Sequence, residues 1–230
     1  MTTRLALVGM GKMGRAIEQL AKDRDCEVVA RLDLAETKAG ITLDSLKGAD
    51  VAIEFTTPAA APLNIRALIQ AGVPTVVGTT GWYDEMPDVL RVVAQKNGAL
   101  LTATNFSLGV NAFEAILTAA ADVIARSGGF DAHLIETHHS AKKDAPSGTA
   151  KSLEASASKA WGRHIPITSV RTGSIPGTHE VIFDAPFETI RLAHVARDRR
   201  VFAEGAIVAA KWIVGKRGVF TMRDVLQAGG

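Results

Sequence analysis

Over the first hundred residues, short apolar runs alternate with amphipathic stretches. Runs at 4–9, 27–32, 51–55, 75–78 and 99–102 are short, aliphatic and bounded by turn residues, and predict strands. Between them, 13–23, 58–71 and 82–97 carry helical spacing, with Pro58 expected in a first turn, where its missing N–H has no helical partner to lose. Strand, helix, strand repeated in this way is the βαβ pattern of a parallel sheet covered by helices.

The pattern changes after about residue 105. Val110, Phe113, Ile116, Leu117, Ala120, Val123 and Ile124 recur at helical spacing and predict a core helix over 109–126, ended by Ser127-Gly128-Gly129. A strand is expected at 133–137, then a polar connection over 138–149 and a helix to about Trp161. Runs at 180–183 and 189–195 flank a turn containing Pro186 and predict an antiparallel hairpin, and helical spacing returns over 202–214. The expected fold class is α/β: an N-terminal Rossmann-like domain over 1–105, rejoined by about 203–230, with a smaller α+β domain over 106–202.

Composition narrows the function. Forty-seven per cent of the 230 residues are hydrophobic, 22% charged and only 5% aromatic, the balance of an ordinary globular protein with few platforms for stacking bases. A net charge of +2 gives no polyanion-binding footprint, so no nucleic-acid partner is expected. Cys26 stands alone and is expected as a buried thiol, which suits a cytoplasmic location. No stretch is expected to cross a membrane, and the apolar run Leu5-Ala6-Leu7-Val8 is too short for a signal peptide.

Candidate chemistry falls in two places. Gly9-Met10-Gly11-Lys12-Met13-Gly14 matches GxGxxG between an expected strand and an expected helix. There the first glycine permits a tight turn, the second a close approach to pyrophosphate, and the third helix–strand packing. Asp33, 19 residues after Gly14, ends the next strand, where a carboxylate accepts ribose hydroxyls. Asp33 would repel a ribose 2′-phosphate and Lys12, Arg15 and Arg31 would attract one, so either NADH or NADPH remains open. Gly78-Thr79-Thr80-Gly81 and Ala103-Thr104-Asn105-Phe106 follow later strands and are expected at the same crevice; taken alone, each is a turn, and Phe106 a core residue.

The second place is the segment from Glu136 to Ala150, which gathers His138, His139, Lys142, Lys143, Asp144, Ser147 and Thr149. No cysteine or carboxylate-rich set completes a metal site there, so no metal is expected. A histidine proton donor beside a lysine that attracts an anion fits better. Ser147-Gly148-Thr149 precede a helix and suit a bound carboxylate, or simply a helix cap. A serine hydrolase is disfavoured because Ser147 lacks the G-x-S-x-G elbow.

Glu136 through Ala150 resembles the E-x-H-H-x-x-K-x-D-A-P-S-G-T-A signature of the dihydrodipicolinate (4-hydroxy-tetrahydrodipicolinate) reductase family. The resemblance extends to Glu54-Phe55-Thr56, Asn105-Phe106-Ser107, Arg171-x-Gly173-x-x-x-Gly177-x-His179 and Met222-Arg223-Asp224-Val225-Leu226, essentially the whole chain. Many members carry a longer G-x-x-G-x-M-G loop, and this chain is also shorter between Asp33 and Asp50. The resemblance implies that His138 is the general acid and Lys142 its catalytic partner, with His139, Ser147, Gly148 and Thr149 holding the carboxylates of a cyclic dicarboxylate substrate. It implies that the residues from Gly9 to Gly14, Asp33, Gly78 to Thr80 and Ala103 to Phe106 line the cofactor site. It also implies NADH- or NADPH-dependent reduction with loss of water in lysine and diaminopimelate biosynthesis, and a homotetramer assembled through the 106–202 domain. The alternatives are another nicotinamide dehydrogenase of amino or keto acids and a non-catalytic dinucleotide sensor.

Overall fold

A computed structural model describes residues 2–228, and the chain divides into two compact units, Met1–Leu108 with Arg200–Gly230, and Gly109–Arg199. The first unit is built on strands β1 (Thr3–Val8), β2 (Cys26–Leu32), β3 (Val51–Glu54), β4 (Thr75–Val77) and β5 (Ala99–Thr102). Its helices up to β5 are α1 (Lys12–Ala21), α2 (Leu34–Ala39), α3 (Leu43–Leu46), α4 (Ala61–Gln70) and α5 (Met86–Gln95). The second unit contains α6 (Leu108–Ser127), β6 (Asp131–His138), α7 (Gly148–Trp161), β7 (Ile167–Arg171), β8 (Gly177–Ala185) and β9 (Glu188–Ala196). The chain then returns to the first unit with α8 (Arg200–Ile213), β10 (Gly218–Phe220) and α9 (Met222–Gln227).

The first sheet has the order β10-β5-β4-β3-β1-β2 and every pairing is parallel. Its central strands are buried on both faces, which is why they read as continuous apolar runs and not as alternation. The chain leaves β1 toward β2 on one side and returns to β3 on the other, so the order reverses at the carboxyl end of β1, where open α/β sheets form their ligand crevice. One core cluster packs Leu5, Leu7, Ile53 and Leu101 under α8 residues Ala206, Ile207, Ala210 and Ile213. Cys26 belongs to the same cluster, and burial pushes its thiol pKa up.

The second sheet has the order β7-β6-β8-β9, with β6 and β7 parallel and the other pairs antiparallel. Phe113, Leu117, Ala121 and Ile124 of α6 and Leu153, Ala157 and Trp161 of α7 cover one face, over Leu134, Val181 and Phe183. The fold class is therefore the expected one, a parallel Rossmann-like sheet with helices plus a separate mixed-sheet unit.

Three local expectations need correction. Pro58 lies in a turn, and α4 begins at Ala61 with Pro62 in its first turn instead. The parallel partner of β6, Ile167–Arg171, was not anticipated, because Ile167, Ser169 and Arg171 do not form an apolar alternation. By length and composition alone α6 could cross a membrane, contrary to the expectation that no stretch is long enough to span one. One stripe of α6 packs into the core of its unit, and Asp122 pairs with Arg126 at 2.8 Å.

Candidate active site

Backbone hydrogen bonds carry the ladder past the ends of four adjacent strands. Gly9 donates to Leu32, Phe55 to Val8, Gly78 to Glu54 and Ala103 to Val77, at 2.7 to 3.2 Å, which aligns the connections after β1, β3, β4 and β5 along one carboxyl edge. Three glycines there have three different causes. Gly9 has φ +92°, and a Cβ on it would stand 2.1 Å from the Phe55 carbonyl oxygen. A Cβ on Gly14 would lie 2.2 Å from the Gly9 carbonyl oxygen, so α1 rests directly on the turn. A Cβ on Gly11 would meet nothing within 4 Å. The fold explains Gly9 and Gly14. Gly11 is instead the exposed N-cap of α1, with no side-chain cap and no acid in the first turn, so the helix N-terminus is open at that point.

Lys12 is exposed, and Met10 and Met13 pack partly against the core. Asp33 Oδ1 faces the same loop, 3.5 Å from Met10 N. Its carboxylate also caps α2 by accepting from Glu36 N, while Glu36 Oε2 accepts from Asp33 N at 2.9 Å. Two acids therefore stand at the start of α2, just past the carboxyl end of β2. Of the three basic residues weighed against them, Arg31 is held by Glu18 at 2.5 Å and Arg15 Nε donates to the Met10 carbonyl at 3.2 Å.

Gly78 makes room for Phe55, whose ring atom Cε1 lies 2.0 Å from where its Cβ would be, and Phe55 meets Phe106 edge-on at 5.7 Å. Thr79 is buried and its hydroxyl accepts from Thr56 N at 2.8 Å, while Thr80 is exposed. Ala103 and Asn105 are half-buried and Thr104 is exposed; Asn105 Oδ1 accepts from Ser107 N at 2.9 Å. Phe106 is a core residue, and a Cβ on Gly205 of α8 would stand 1.7 Å from its carbonyl oxygen. Glu54, quoted in sequence but given no role, is fully buried beneath these loops and accepts a hydrogen bond from Thr56 N at 3.1 Å and another from the Thr56 hydroxyl.

In the second unit the period of β6 places Leu134, Glu136 and His138 on the inward face, and that of β8 places Gly177, His179, Val181 and Phe183 there. Antiparallel pairing sets the polar end of one strand against the polar end of the other, just where α7 begins. Glu136 and His138 are buried, and Glu136 Oε2 meets His138 Nδ1 in a short hydrogen bond. Glu136 Oε1 accepts from Arg171 Nη2 at 2.6 Å and from Ser147 N at 3.3 Å. Burial pushes the Glu136 pKa up, but the hydrogen bonds from Arg171 and His138 outweigh it and bring it to about 2. The His138 pKa lies below its ordinary value because burial outweighs the support of Glu136, and Lys142 and Arg171 push the same way.

Ser147 is the N-cap of α7. Its buried hydroxyl accepts from Ala150 N at 3.1 Å and lies 3.3 Å from His179 Nε2. Gly148 and Thr149 open the helix, whose first-turn N–H groups have no intrahelical acceptor, and no acid stands in that turn. His139 is half-buried next to His138. Lys142 Nζ is chelated by Asp144, at 2.7 and 2.9 Å, and its charge is felt at His138. Glu136, His138 and His179 have the spacing of a metal triad, all within 4.8 Å. The guanidinium on Glu136, its bond to His138 Nδ1 and the Ser147 contact on His179 Nε2 already engage these donors, so the arrangement fits a hydrogen-bonded network better than a cation. Arg171, Gly177 and His179 were quoted in sequence but given no role; their signal was a polar residue or a glycine at an inward strand position.

A parallel sheet with a glycine cradle at its switch point, joined to a unit bearing a buried histidine beside a helix N-terminus, defines an oxidoreductase that uses a nicotinamide dinucleotide. The two halves of the chain match the family models for the dihydrodipicolinate reductase N-terminus, at residues 3–106, and C-terminus, at 109–226. The chain belongs to the dihydrodipicolinate reductase family. It is 37% identical over 235 residues to the 4-hydroxy-tetrahydrodipicolinate reductase of Christiangramia forsetii, covering 97% of each. It is 36% identical over 244 residues to that of Methanoculleus marisnigri, covering 94% of this chain and 96% of the relative. Among solved structures, the dipicolinate-bound dihydrodipicolinate reductase from Paenisporosarcina sp. TG-14 shares the fold, with a TM-score of 0.82, 24% identity, and coverage of 96% of this chain and 98% of that one.

Proposed function

We propose that the chain reduces 4-hydroxy-tetrahydrodipicolinate to tetrahydrodipicolinate, with loss of water, in lysine and diaminopimelate biosynthesis, and that His138 supplies the proton. Family membership over both halves of the chain supports the reaction. The observation that carries the site reading is the buried His138, braced by Glu136, beside the N-terminus of a 14-residue helix. Loss of water from the 4-hydroxy ring leaves a conjugated ring, to which a nicotinamide, when bound, would supply hydride. His138 then protonates the electron-rich product of that addition, and Lys142, released from Asp144, favours the developing negative charge. His139 and the α7 entrance at Ser147, Gly148 and Thr149 hold the carboxylates, with Ser147 shaping the entrance as its cap. A dianionic substrate also raises the proton affinity of His138, offsetting the effect of burial.

The dinucleotide lies along Gly9, Met10, Gly11, Lys12, Met13 and Gly14, with Asp33 on its ribose and Gly78, Thr79, Thr80 and Ala103 to Phe106 beside it. Asp33 and Glu36 together, with Arg31 held by Glu18, favour NADH over NADPH. In this reading residues 1–105 with 203–230 bind the cofactor, and 106–202 bind substrate and form a homotetramer in the cytoplasm. The uncovered face of the second sheet supports assembly: Val170, Thr137, Thr178 and Val195 align across it, and Val195 is 60% exposed.

The test supplies substrate formed in situ from pyruvate and aspartate semialdehyde by the preceding pathway enzyme and follows NADH and NADPH oxidation separately. Oxidation is expected, fastest with NADH, and His138→Ala should lower turnover about 10²- to 10⁴-fold. A folded protein that oxidises neither cofactor rejects the reaction, and full turnover by His138→Ala rejects the proton donor.

A further inference from the structure

The motif Arg171-x-Gly173-x-x-x-Gly177-x-His179 has no part in the reaction as read above, yet it closes around His138. Arg171 reaches Glu136 from β7 and also donates to the Asp144 carbonyl at 2.6 Å. The Gly173 carbonyl accepts from Ser140 N at 3.1 Å, and Thr172 N donates to the His138 carbonyl at 2.9 Å, so the strand end and the polar loop are tied together. A Cβ on Gly177 would stand 3.0 Å from His138 Nε2.

Hydrogen-bond roles follow from the partners. A carboxylate facing a guanidinium stays ionised and can only accept, so the hydrogen in the Glu136–His138 contact belongs to Nδ1. The second, transferable proton of the imidazolium then sits on Nε2, the nitrogen beside Gly177. We propose that Glu136, held ionised by Arg171, is the positioning residue of the reaction: it fixes His138 with its hydrogen on Nδ1 and leaves Nε2, across the space kept open by Gly177, as the atom that delivers the proton. This rests on His138 being the proton donor. Tautomer selection by a buried carboxylate on the far ring nitrogen is the same device that orients catalytic and metal-bound histidines.

The charges around His138 come from every strand and loop against it. Glu136 on its own strand raises its proton affinity; Lys142 and Arg171 lower it. Asp144 offsets Lys142 in the loop. On β8, burial holds the His179 pKa at about 4, so it carries no charge near neutrality, and its Nε2 lies 3.3 Å from the Ser147 hydroxyl. His194, opposite His179 on β9, is also lowered by burial.

The experiment compares pH profiles of kcat and kcat/KM for the full-length wild type, Glu136→Gln, Arg171→Met, Gly177→Ala and His138→Ala, with NADH binding as the check that each variant is folded. Glu136→Gln removes a charge that favours the imidazolium, so the alkaline limb should move down by about one pH unit or more, with the loss greatest at high pH. Arg171→Met removes an opposing charge and should move the limb up, and it carries the same test if Glu136→Gln does not fold. Gly177→Ala should lower kcat at least about tenfold without moving the limb, because the methyl obstructs Nε2 and leaves its titration alone. Equal losses at every pH in the first two variants, shifts of the same sign, or unchanged kcat in Gly177→Ala would overturn the proposal. If His138→Ala keeps its turnover, the proton-donor reading itself fails; if only the limbs stay fixed, the positioning role fails alone.

Discussion

Gly9 lies so close to Phe55 that a Cβ on it would stand 2.1 Å from the Phe55 carbonyl oxygen, in a backbone conformation of φ +92° that L side chains rarely adopt. Two residues later the same loop leaves open space around Gly11. The two glycines should therefore fail differently. Gly9→Ala is expected to lower the melting temperature or prevent folding, because both strain and collision are with backbone. Gly11→Ala is expected to keep the melting temperature within a few degrees and to weaken NADH binding about tenfold or more, since its methyl would occupy the pyrophosphate path. Circular dichroism melts and NADH fluorescence titration separate the cases. Unchanged NADH affinity in Gly11→Ala would remove the cradle from the binding site.

Asp33 has two duties that one substitution can part. Its carboxylate caps α2 through Glu36 N and also faces Met10 N in the glycine loop. Serine is an equally good N-cap, so Asp33→Ser should leave α2 intact while removing the charge opposed to a 2′-phosphate. The ratio of kcat/KM for NADPH to that for NADH should rise by about tenfold or more, with little change in melting temperature. An unaltered ratio would assign Asp33 to capping alone.

The parallel sheet was legible because its strands are buried on both faces, and such strands spell their burial directly, as Leu5-Ala6-Leu7-Val8 and Val51-Ala52-Ile53 do. Edge and polar strands were harder. Residues of Ile167–Arg171 are half-buried or exposed, and their place beside β6 is set by long-range pairing with Leu134 to His138. The glycine loop and the polar segment were visible as local motifs, but the network joining Glu136 to Arg171 spans 35 residues of sequence and Ser147 to His179 spans 32. No local pattern records such contacts. Even α6 illustrates the limit, since its apolar composition alone does not distinguish a core helix from a membrane span, and the stripe of Phe113, Leu117 and Ala121 that packs into the core is set by tertiary contacts.

Glu54 is a buried acid with no ion-pair partner among the described residues. Its Oε2 has no partner among the described residues, and burial raises its pKa while hydrogen bonds from Thr56 only partly oppose the rise. A carboxyl whose folded pKa is raised binds more protons folded than unfolded, so it costs stability as pH climbs from the ordinary carboxylate range through the folded value. Glu54→Gln keeps the acceptor for Thr56 and removes that cost. The variant should gain about 2 °C or more in melting temperature over the wild type at pH 7, and the gain should shrink toward pH 4.5. Glu136, with its pKa near 2, acts in the opposite sense and only below about pH 4.5, where its contribution is lost on acidification. Melts at several pH values between 4.5 and 8 check the slope, and a gain that does not vary with pH would separate Glu54 from the titration.

Val195 lies on the sheet face opposite α6 and α7, in a row with Thr178, Thr137 and Val170, and Phe187 is fully exposed at the hairpin between β8 and β9. Ile190 and Leu192 of the same strand point to the other face and pack against the core of the unit. Val195→Lys should therefore spare the fold but place a charge in any contact made through the open face, where desolvation without a partner costs several kcal/mol. Light scattering at micromolar concentration is expected to give the mass of four chains for the wild type and a smaller mass for the variant, with matching far-ultraviolet dichroism. A variant that keeps the tetramer mass would move the interface elsewhere, and a monomeric wild type would end the assembly reading altogether.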